Sequence, residues 1–422
     1  MYETNQKEKA LLVMVEVGQE KWPSEVLAEE FKNLVISTGI EVEDLIITKR
    51  KFITPSLYIG KGKTEELALI VQEENINVVI FNNNLSYTQQ RNLEDILLVK
   101  TIDRTQLILD IFSKHARTQE GILQVELAQL EYLLPRLKGK GIMLSRLGGG
   151  IGTRGPGEKK LEIDRRRITD RIARLKHEIN QISQHRQTTR KKREKENISI
   201  CSLVGYTSAG KTTLFNALTE SDEKITGFLF TTLDTVSHTF SLHNNLKAVL
   251  SDTVGFIYKL PLNLIEAFKA TLEELQYADL LLHVVDASSE DIARLMESVN
   301  LILKELKLSE KPALLVFNKI DKISPQELSF LQGKYPDAVF ISALEKINLD
   351  ILRERIYVML FGDMVELVVK IPFARMEITN YIHNNSEVLK KHYSNNEVVY
   401  WIKIKKDKLS YLEKLQVDMK EI

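Results

Sequence analysis

A glycine-rich octapeptide, Gly205-Tyr206-Thr207-Ser208-Ala209-Gly210-Lys211-Thr212, carries the strongest chemical signal in the chain. It matches the pattern GxxxxGK[ST], follows the apolar run ISICSLV and precedes the helix-like run TLFNALTE. In that setting, backbone N–H groups and a helix N-terminus bind phosphates, the lysine reaches the β and γ oxygens, and the last hydroxyl can ligate Mg²⁺. The pattern predicts a nucleoside-triphosphate site, which extends to Thr213.

Two further motifs follow in the order that a GTP site requires. Asp252-Thr253-Val254-Gly255 fits DxxG, with a carboxylate for the metal side and a glycine N–H that senses the γ-phosphate. Asn318-Lys319-Ile320-Asp321 follows the apolar strand ALLVF. The Asp321 carboxylate can accept hydrogen bonds from N1 and N2 of guanine, donors that adenine lacks, so it selects GTP over ATP. Either motif alone is a weak signal, but their order after the phosphate loop predicts GTP hydrolysis.

Two other loops complete the predicted site. Phe230-Thr231-Thr232 offers Thr232, in preference to Thr231, as the switch residue that caps Mg²⁺ in the GTP state, beside Thr212 and Asp252 as the other metal ligands. Ser342-Ala343-Leu344 ends the last predicted strand, where such proteins contact guanine. We assign the catalytic roles to Lys211, Thr232, Asp252 and Gly255.

The residue after DxxG is Phe256, where Ras-like GTPases carry the glutamine that orients the attacking water. A phenylalanine ring neither donates to nor accepts from water, so the sequence predicts slow hydrolysis by the chain alone. Another residue, a main-chain group or a partner that orders the switch loops must then place the water.

The pattern of elements around these motifs predicts an α/β, multidomain chain. Residues 1–104 alternate strand-like and helical runs, and we interpret them as an N-terminal α/β domain. Residues 105–196 form the second region, an antiparallel helical hairpin (a coiled-coil arm), because Leu161, Ile168, Leu175 and Ile182 recur every seven residues. We expect its first helix to break near Gly121 and to end at Pro135.

Residues 197–362 carry the phosphate-loop motifs and alternate strands with helices again. We expect a P-loop GTPase domain with a doubly wound, mostly parallel sheet. The remaining residues, 363–422, are predicted to form a small α+β C-terminal domain.

The predicted tip of the hairpin, residues 136–157, is both basic and rich in glycine. Between residues 136 and 195 the chain has 19 Lys and Arg residues against 6 Asp and Glu residues, and eight of its 19 glycines. Such a segment can follow an RNA backbone closely while its cations neutralise phosphates. The candidate RNA-binding residues are Arg136, Lys138, Lys140, Arg146 and Arg154. The alternative is a basic coiled coil that is merely solvated.

The overall composition conceals this asymmetry. The 422 residues contain 58 Lys and Arg and 58 Asp and Glu, so the basic segment is offset by an acidic remainder. A single cysteine, Cys201, excludes an intramolecular disulfide, and no apolar run approaches the ~20 residues of a membrane helix. We therefore expect a cytoplasmic monomer. The histidines, among them His115, His177, His185 and His238, show no arrangement that suggests metal or acid–base chemistry.

Over essentially its whole length the chain resembles the HflX family of translational GTPases in the Obg–HflX group. The resemblance rests on LYIGKGK at 57–63, VELAQLEYLLPRL at 125–137, SRLGGGIGTRGPGE at 145–158, GYTSAGKTTLFNAL at 205–218 and DTVGFIYKLP at 252–261. It implies a factor that binds the large (50S) ribosomal subunit, is stimulated by ribosomes to hydrolyse GTP to GDP, and splits stalled 70S ribosomes under stress. Some relatives are linked to antibiotic resistance.

The chain departs from the family pattern at three places. Ser208 stands where the family has asparagine, so a monovalent-cation site there is in doubt. Thr235 and His238 replace a proline and an arginine after the switch residues, and SALEKIN replaces the usual guanine loop.

Two other functions stay open from the sequence. The first is a ribosome assembly or RNA-binding factor that uses GTP as a structural or switch ligand without significant turnover. The second is binding of another nucleotide by residues 1–104, in which the only candidate phosphate-binding loop is Gly60-Lys61-Gly62-Lys63. That segment lacks phosphate-loop spacing, and a tight turn explains it better.

Overall fold

A computed structural model describes residues 8–18, 22–145, 156–195, 198–221, 230, 236–242, 246–258, 261, 273–362, 364–394, 396–415 and 417–421. The chain forms two compact units. The first unit comprises residues 1–183 with 224–235 and 253–273, and the second comprises 184–223, 236–252 and 274–422. The boundary between the units therefore passes through the DTVG motif, between Asp252 and Thr253. No helix in the part of the chain that the structure describes could span a membrane.

The first unit begins with a parallel sheet of four strands in the order β2-β1-β3-β4. The strands are β1 (Lys9–Val17), β2 (Glu41–Arg50), β3 (Val78–Phe81) and β4 (Lys100–Ile102), and the helices are α1 (Ser24–Ile36), α2 (Lys61–Glu73), α3 (Tyr87–Leu97) and α4 (Arg104–His115). Strand β1 is almost continuously apolar, as expected of a strand buried on both faces. Gly60, with φ of +82°, precedes α2, so the Gly60–Lys63 segment is a turn into a helix.

A long helical hairpin follows, made of α5 (Gln119–Ser145) and α6 (Pro156–Lys195). The heptad positions meet as expected, since Leu123 and Leu127 pack against Ile172 and Leu175. Helix α4 does not join this seam. Its Leu107, Ile108, Ile111 and Phe112 pack in the core of the N-terminal sheet instead.

Three local predictions about the hairpin were wrong. The helical break lies at residues 116–118 and not at Gly121. Helix α5 continues through Pro135 to Ser145, although a proline there lacks the N–H that a helix interior uses. Packing of Leu130 and Leu134 on α6 offsets that loss. The expected loop 136–157 is consequently helical at both ends, and only residues 146–155 separate the two helices.

The second unit contains a six-stranded sheet in the order β10-β9-β8-β5-β7-β6. Its strands are β5 (Ile200–Val204), β6 (Val236–Ser241), β7 (Lys247–Asp252), β8 (Leu280–Asp286), β9 (Ala313–Asn318) and β10 (Val339–Phe340), and its helices are α7 (Lys211–Thr219), α8 (Ile292–Glu305), α9 (Pro325–Lys334) and α10 (Leu349–Phe361). All neighbours are parallel except the edge pair β6–β7. The predicted α/β class and mostly parallel sheet are confirmed, whereas the polar edge strand β6 gave no clear sequence signal.

The chain ends in an antiparallel sheet with two helices. Its elements are β11 (Met364–Pro372), α11 (Glu377–Asn385), β12 (Ser386–Tyr393), β13 (Glu397–Lys405), α12 (Lys406–Lys414) and β14 (Asp418–Glu421). The sheet order β12-β13-β11-β14, with this βαββαβ element order, is the ferredoxin-like arrangement. Val369, Tyr400 and Ile402 lie in its core.

Candidate functional site

The predicted phosphate loop connects β5 to α7 at the carboxyl end of the parallel sheet, where ligands of such sheets bind. Its first glycine approaches the backbone of β8 very closely. A Cβ added to Gly205 would lie 2.3 Å from the Val284 carbonyl oxygen, so glycine is required at this position. The loop ends at Gly210 in the left-handed conformation, from which helix α7 starts.

Lys211 is held under the loop. Its Nζ donates hydrogen bonds to the carbonyl oxygens of Gly205 (3.1 Å) and Tyr206 (2.9 Å). Burial lowers its pKa to about 8, and the opposing effect of the Asp252 carboxylate is smaller. The ammonium group is therefore poorly solvated, and a bound phosphate would stabilise its charged form.

Thr212 and Asp252 come together across forty residues of sequence. The Thr212 hydroxyl donates to the Asp252 carboxylate over 2.8 Å, and Asp252 is 1% exposed. A hydroxyl and a carboxylate oxygen are the ligand types that Mg²⁺ combines with water and nucleotide phosphates. Among the described residues, no group of three or more His, Cys, Asp or Glu side chains is placed to hold a metal ion.

Asn318 joins the three nucleotide loops of the second unit. Its amide nitrogen donates to the carbonyl of Ala209 in the phosphate loop over 3.0 Å, and its amide oxygen accepts from the backbone N–H of Ala343 over 2.9 Å. Gly210 must be glycine here too, because a Cβ would lie 2.3 Å from the Asn318 amide nitrogen. The Asn318 side chain thus bridges the phosphate loop and the loop that contains Ala343, a role that the motif alone did not reveal.

The residues predicted to contact the base lie in the two segments that contain Asn318 and Ala343. Lys319 adopts φ of +65° and its ammonium pairs with Asp286 over 2.6 Å, which fixes the turn from β9. Asp321 follows on an exposed turn, where a ligand can reach its carboxylate. Ser342 and Ala343 are buried, and the Ser342 hydroxyl accepts from the N–H of Glu345 over 3.1 Å. Leu344 is exposed.

The segments that respond to the γ-phosphate in GTPases belong to the first unit. Thr253, Val254 and Phe256 are all at most 5% exposed. Phe230 is buried as well, with φ of +59°, whereas the predicted switch residues Thr231 and Thr232 lie outside the described residues.

Arg136 differs from what the sequence led us to expect. Its guanidinium pairs with the buried Asp103 over 3.0 Å, donates to the Leu85 carbonyl over 3.0 Å and covers the Tyr132 ring at 3.4 Å. A group with these partners is committed to packing within the first unit. Of the other basic candidates, the Lys138 and Lys140 side chains and all of Arg146 and Arg154 lie outside the described residues.

Sequence reasoning missed His283, which lies on β8. It is opposite Val204, the residue that directly precedes the phosphate loop. Burial, and next the positive charge of Lys211, lower its pKa to about 4, so the imidazole is neutral at pH 7. The signal is a histidine inside the otherwise apolar run LLLHVV, residues 280–285. Its neutrality limits the repulsion on Lys211.

The fold and loops together define a P-loop GTPase domain. A model of 50S ribosome-binding GTPases matches residues 200–319, and models of the N-terminal and middle regions of GTP-binding GTPases match residues 25–113 and 115–193.

Two similar proteins carry the name GTPase HflX. GTPase HflX of Caldanaerobacter subterraneus subsp. tengcongensis is 45% identical over 394 residues, covering 93% of this chain and 90% of that protein. GTPase HflX of Escherichia coli is 41% identical over 367 residues, covering 86% of each. The chain belongs to the HflX family of GTPases, and it binds and hydrolyses GTP.

Among solved structures, a GTP-binding protein of Sulfolobus solfataricus in complex with GDP is 27% identical to the chain. The match covers 84% of this chain and 99% of that chain, with a TM-score of 0.45.

The depressed pKa of Lys211 predicts a pH-dependent affinity for GTP. Bound phosphates raise the pKa of this ammonium, so above pH 8 binding requires the uptake of up to one proton. The association constant should be level below pH 8 and fall as the pH rises above it, by at most about tenfold per unit. Calorimetric titrations at pH 8.7 in buffers of different ionisation enthalpy measure the uptake. A net uptake of zero would contradict the assignment of Lys211.

Proposed function

We propose that this chain, in its GTP form, binds the large (50S) ribosomal subunit as a cytoplasmic monomer, separates the subunits of stalled 70S ribosomes, and is released after GTP hydrolysis. The observation that carries the proposal is the α5–α6 hairpin. Its apolar seam pairs the two helices over several turns, and the basic, glycine-rich segment 146–155 connects them at one end. The matching model of 50S ribosome-binding GTPases supports the same partner.

In the proposed reaction, the residues of this chain bind and position rather than react covalently. Lys211 exchanges the carbonyls of Gly205 and Tyr206 for the β and γ phosphate oxygens. Thr212 and Asp252 hold Mg²⁺, with Thr232 as a further ligand, and that ion neutralises charge that develops on the phosphates. The Gly255 N–H senses the γ-phosphate, and Asp321 with the Ser342–Leu344 loop recognises guanine.

Phe256 leaves the attacking water without a side-chain partner at the usual position. We therefore propose that hydrolysis is slow in the isolated protein and that the ribosome accelerates it by ordering the switch segments. GTP then acts as a timer. An arm that prefers the free large subunit to the joined ribosome separates the subunits by binding alone, and hydrolysis permits release.

The proposal that hydrolysis controls release and not splitting can be tested by measuring the separation of 70S ribosomes with GTP and with a non-hydrolysable GTP analogue. We expect similar splitting with both nucleotides in a single round, and repeated rounds only with GTP. Splitting that requires hydrolysis in the first round would exclude this mechanism.

The basic arm predicts a salt dependence that can be measured variant by variant. Replacement of Lys138, Lys140, Arg146 and Arg154 by glutamine should reduce the slope of log affinity against log salt by about 3, since each phosphate contact contributes roughly 0.7 to 0.9. Binding to 50S subunits at several salt concentrations provides the slope. An unchanged slope would indicate that the arm is merely solvated. Arg136 is left intact because its partners lie within the protein.

The second candidate is a ribosome assembly or RNA-binding factor in which GTP has little turnover. The buried Phe256 favours it, because the usual water-orienting group is missing. Multiple-turnover assays with 50S subunits separate the two functions, since only the first predicts stimulated release of phosphate.

A further inference from the structure

The segment that follows the DTVG motif is part of the core of the N-terminal domain. Val254 and Ile257 are buried with Phe112 and Ile108 of α4, in the cluster that also includes Leu12 of β1. Residues 253–258 therefore pack with the N-terminal sheet, although the preceding residue, Asp252, belongs to the other unit.

One side chain fixes this segment through its backbone. Arg104, the first residue of α4, is 7% exposed, and its Nη2 donates to the Tyr258 carbonyl over 2.9 Å. The same nitrogen pairs with Glu30 on α1 over 2.6 Å, and Nη1 donates to the amide oxygen of Asn82. A guanidinium can reach these three acceptors at once because its donors form a rigid fork, which a lysine cannot reproduce.

Aromatic contacts strengthen the same attachment. Trp22 lies against the Tyr258 ring with centroids 5.0 Å apart. Phe230, next to the predicted switch threonines, meets Phe112 edge-on at 4.8 Å. Phe230 and the segment from Val254 to Tyr258 thus both contact residues of the N-terminal domain.

From this geometry we propose that Arg104, held by Glu30, is a positioning residue for GTP hydrolysis that fixes the Gly255–Tyr258 segment and links it to the N-terminal domain. We assign Arg104 no contact with the nucleotide. It acts through the backbone that runs from Tyr258 back to Gly255. Since Phe256 offers no group for water, hydrolysis depends on how accurately this backbone is placed, and misplacement by about 1 Å can cost a hundredfold in rate.

The kinetic test uses single-turnover GTP hydrolysis by the full chain without ribosomes. We expect Arg104→Met to lower the rate about tenfold, and Arg104→Lys to lower it less. The affinity for a fluorescent GDP should stay within twofold, because the phosphate and guanine loops keep their contacts. The matched control is Arg91→Met on α3 of the same unit, whose guanidinium pairs with Asp95 at 3.7 Å and should leave the rate unchanged.

Arg104→Met removes the ion pair with Glu30, whose side chain is only 10% exposed, so the double variant Glu30→Gln/Arg104→Met guards against a folding defect. Thermal unfolding checks each variant. If Arg104→Met does not fold, the double variant and Arg104→Lys decide the question. A folded variant that hydrolyses GTP at the wild-type rate would overturn the proposal, as would an equal loss of GDP affinity.

A spectroscopic readout separates positioning from a general structural role. The chain has two tryptophans, Trp22 and Trp401, so Trp401→Phe leaves Trp22 beside Tyr258 as the sole reporter. We expect Trp22 emission to change when GDP is exchanged for a non-hydrolysable GTP analogue, and at least half of that change to vanish with Arg104→Met. Equal changes with and without Arg104 would contradict the proposed link.

Discussion

Replacement of Asp321 by asparagine is expected to reduce the affinity for GTP on the order of 10³-fold. The carboxylate is predicted to accept two guanine hydrogens, and an asparagine amide would place a donor against one of them. The same change should create affinity for a xanthine nucleotide, whose C2 carries an oxygen that accepts from the amide. Equilibrium binding of fluorescent guanine and xanthine nucleotides measures both effects.

The control for this substitution is Asp337→Asn, because Asp337 is 97% exposed and contacts only the Arg355 guanidinium at a distance of 3.9 Å among the described contacts. It should change neither affinity. A GTP affinity of Asp321→Asn within tenfold of wild type would refute the role of Asp321 in base recognition.

Replacement of Gly210 by alanine is expected to lower GTP affinity by at least a hundredfold. The new Cβ would lie 2.3 Å from the Asn318 amide nitrogen, and φ of +88° is strained for alanine. Asn318 must then move, which breaks its bonds to Ala209 and to Ala343. Both the phosphate loop and the guanine loop would lose their shared support.

Gly333→Ala is the matched control for that variant. A Cβ on Gly333 meets nothing within 4 Å, and the residue lies on helix α9, so alanine should be neutral or slightly stabilising. Nucleotide titrations and thermal unfolding of both variants report the two effects. Wild-type GTP binding by Gly210→Ala would show that the loop tolerates the displacement of Asn318.

The GTPase domain was predictable because its motifs are local. Each functional residue follows an apolar strand, and parallel strands bring their carboxyl ends to one edge of the sheet. The heptad repeat of α6 likewise predicted its pairing with the preceding helix, since spacing alone defines an apolar stripe.

Long-range contacts account for what the sequence did not predict. The NKID motif predicts a nucleotide-binding role for Asn318, but its bridging role depends on Ala209 and Ala343, which only the fold brings near. The basic segment predicts RNA binding by Arg136, and its pairing with Asp103 could not be predicted because the two residues are 33 positions apart in sequence. Local propensity predicts a helix end at Pro135 because it carries no information about packing on α6.

The most direct test of the central claim is to measure GTP hydrolysis with and without purified 50S subunits. The intact chain is compared with a variant in which a glycine–serine linker of equal length replaces residues 146–155. We expect 50S subunits to stimulate the intact chain at least tenfold. The linker variant should hydrolyse GTP alone at the wild-type rate and lose most of that stimulation. Absence of stimulation in the intact chain, or equal stimulation of both proteins, would contradict a ribosome-dependent GTPase that acts through this arm.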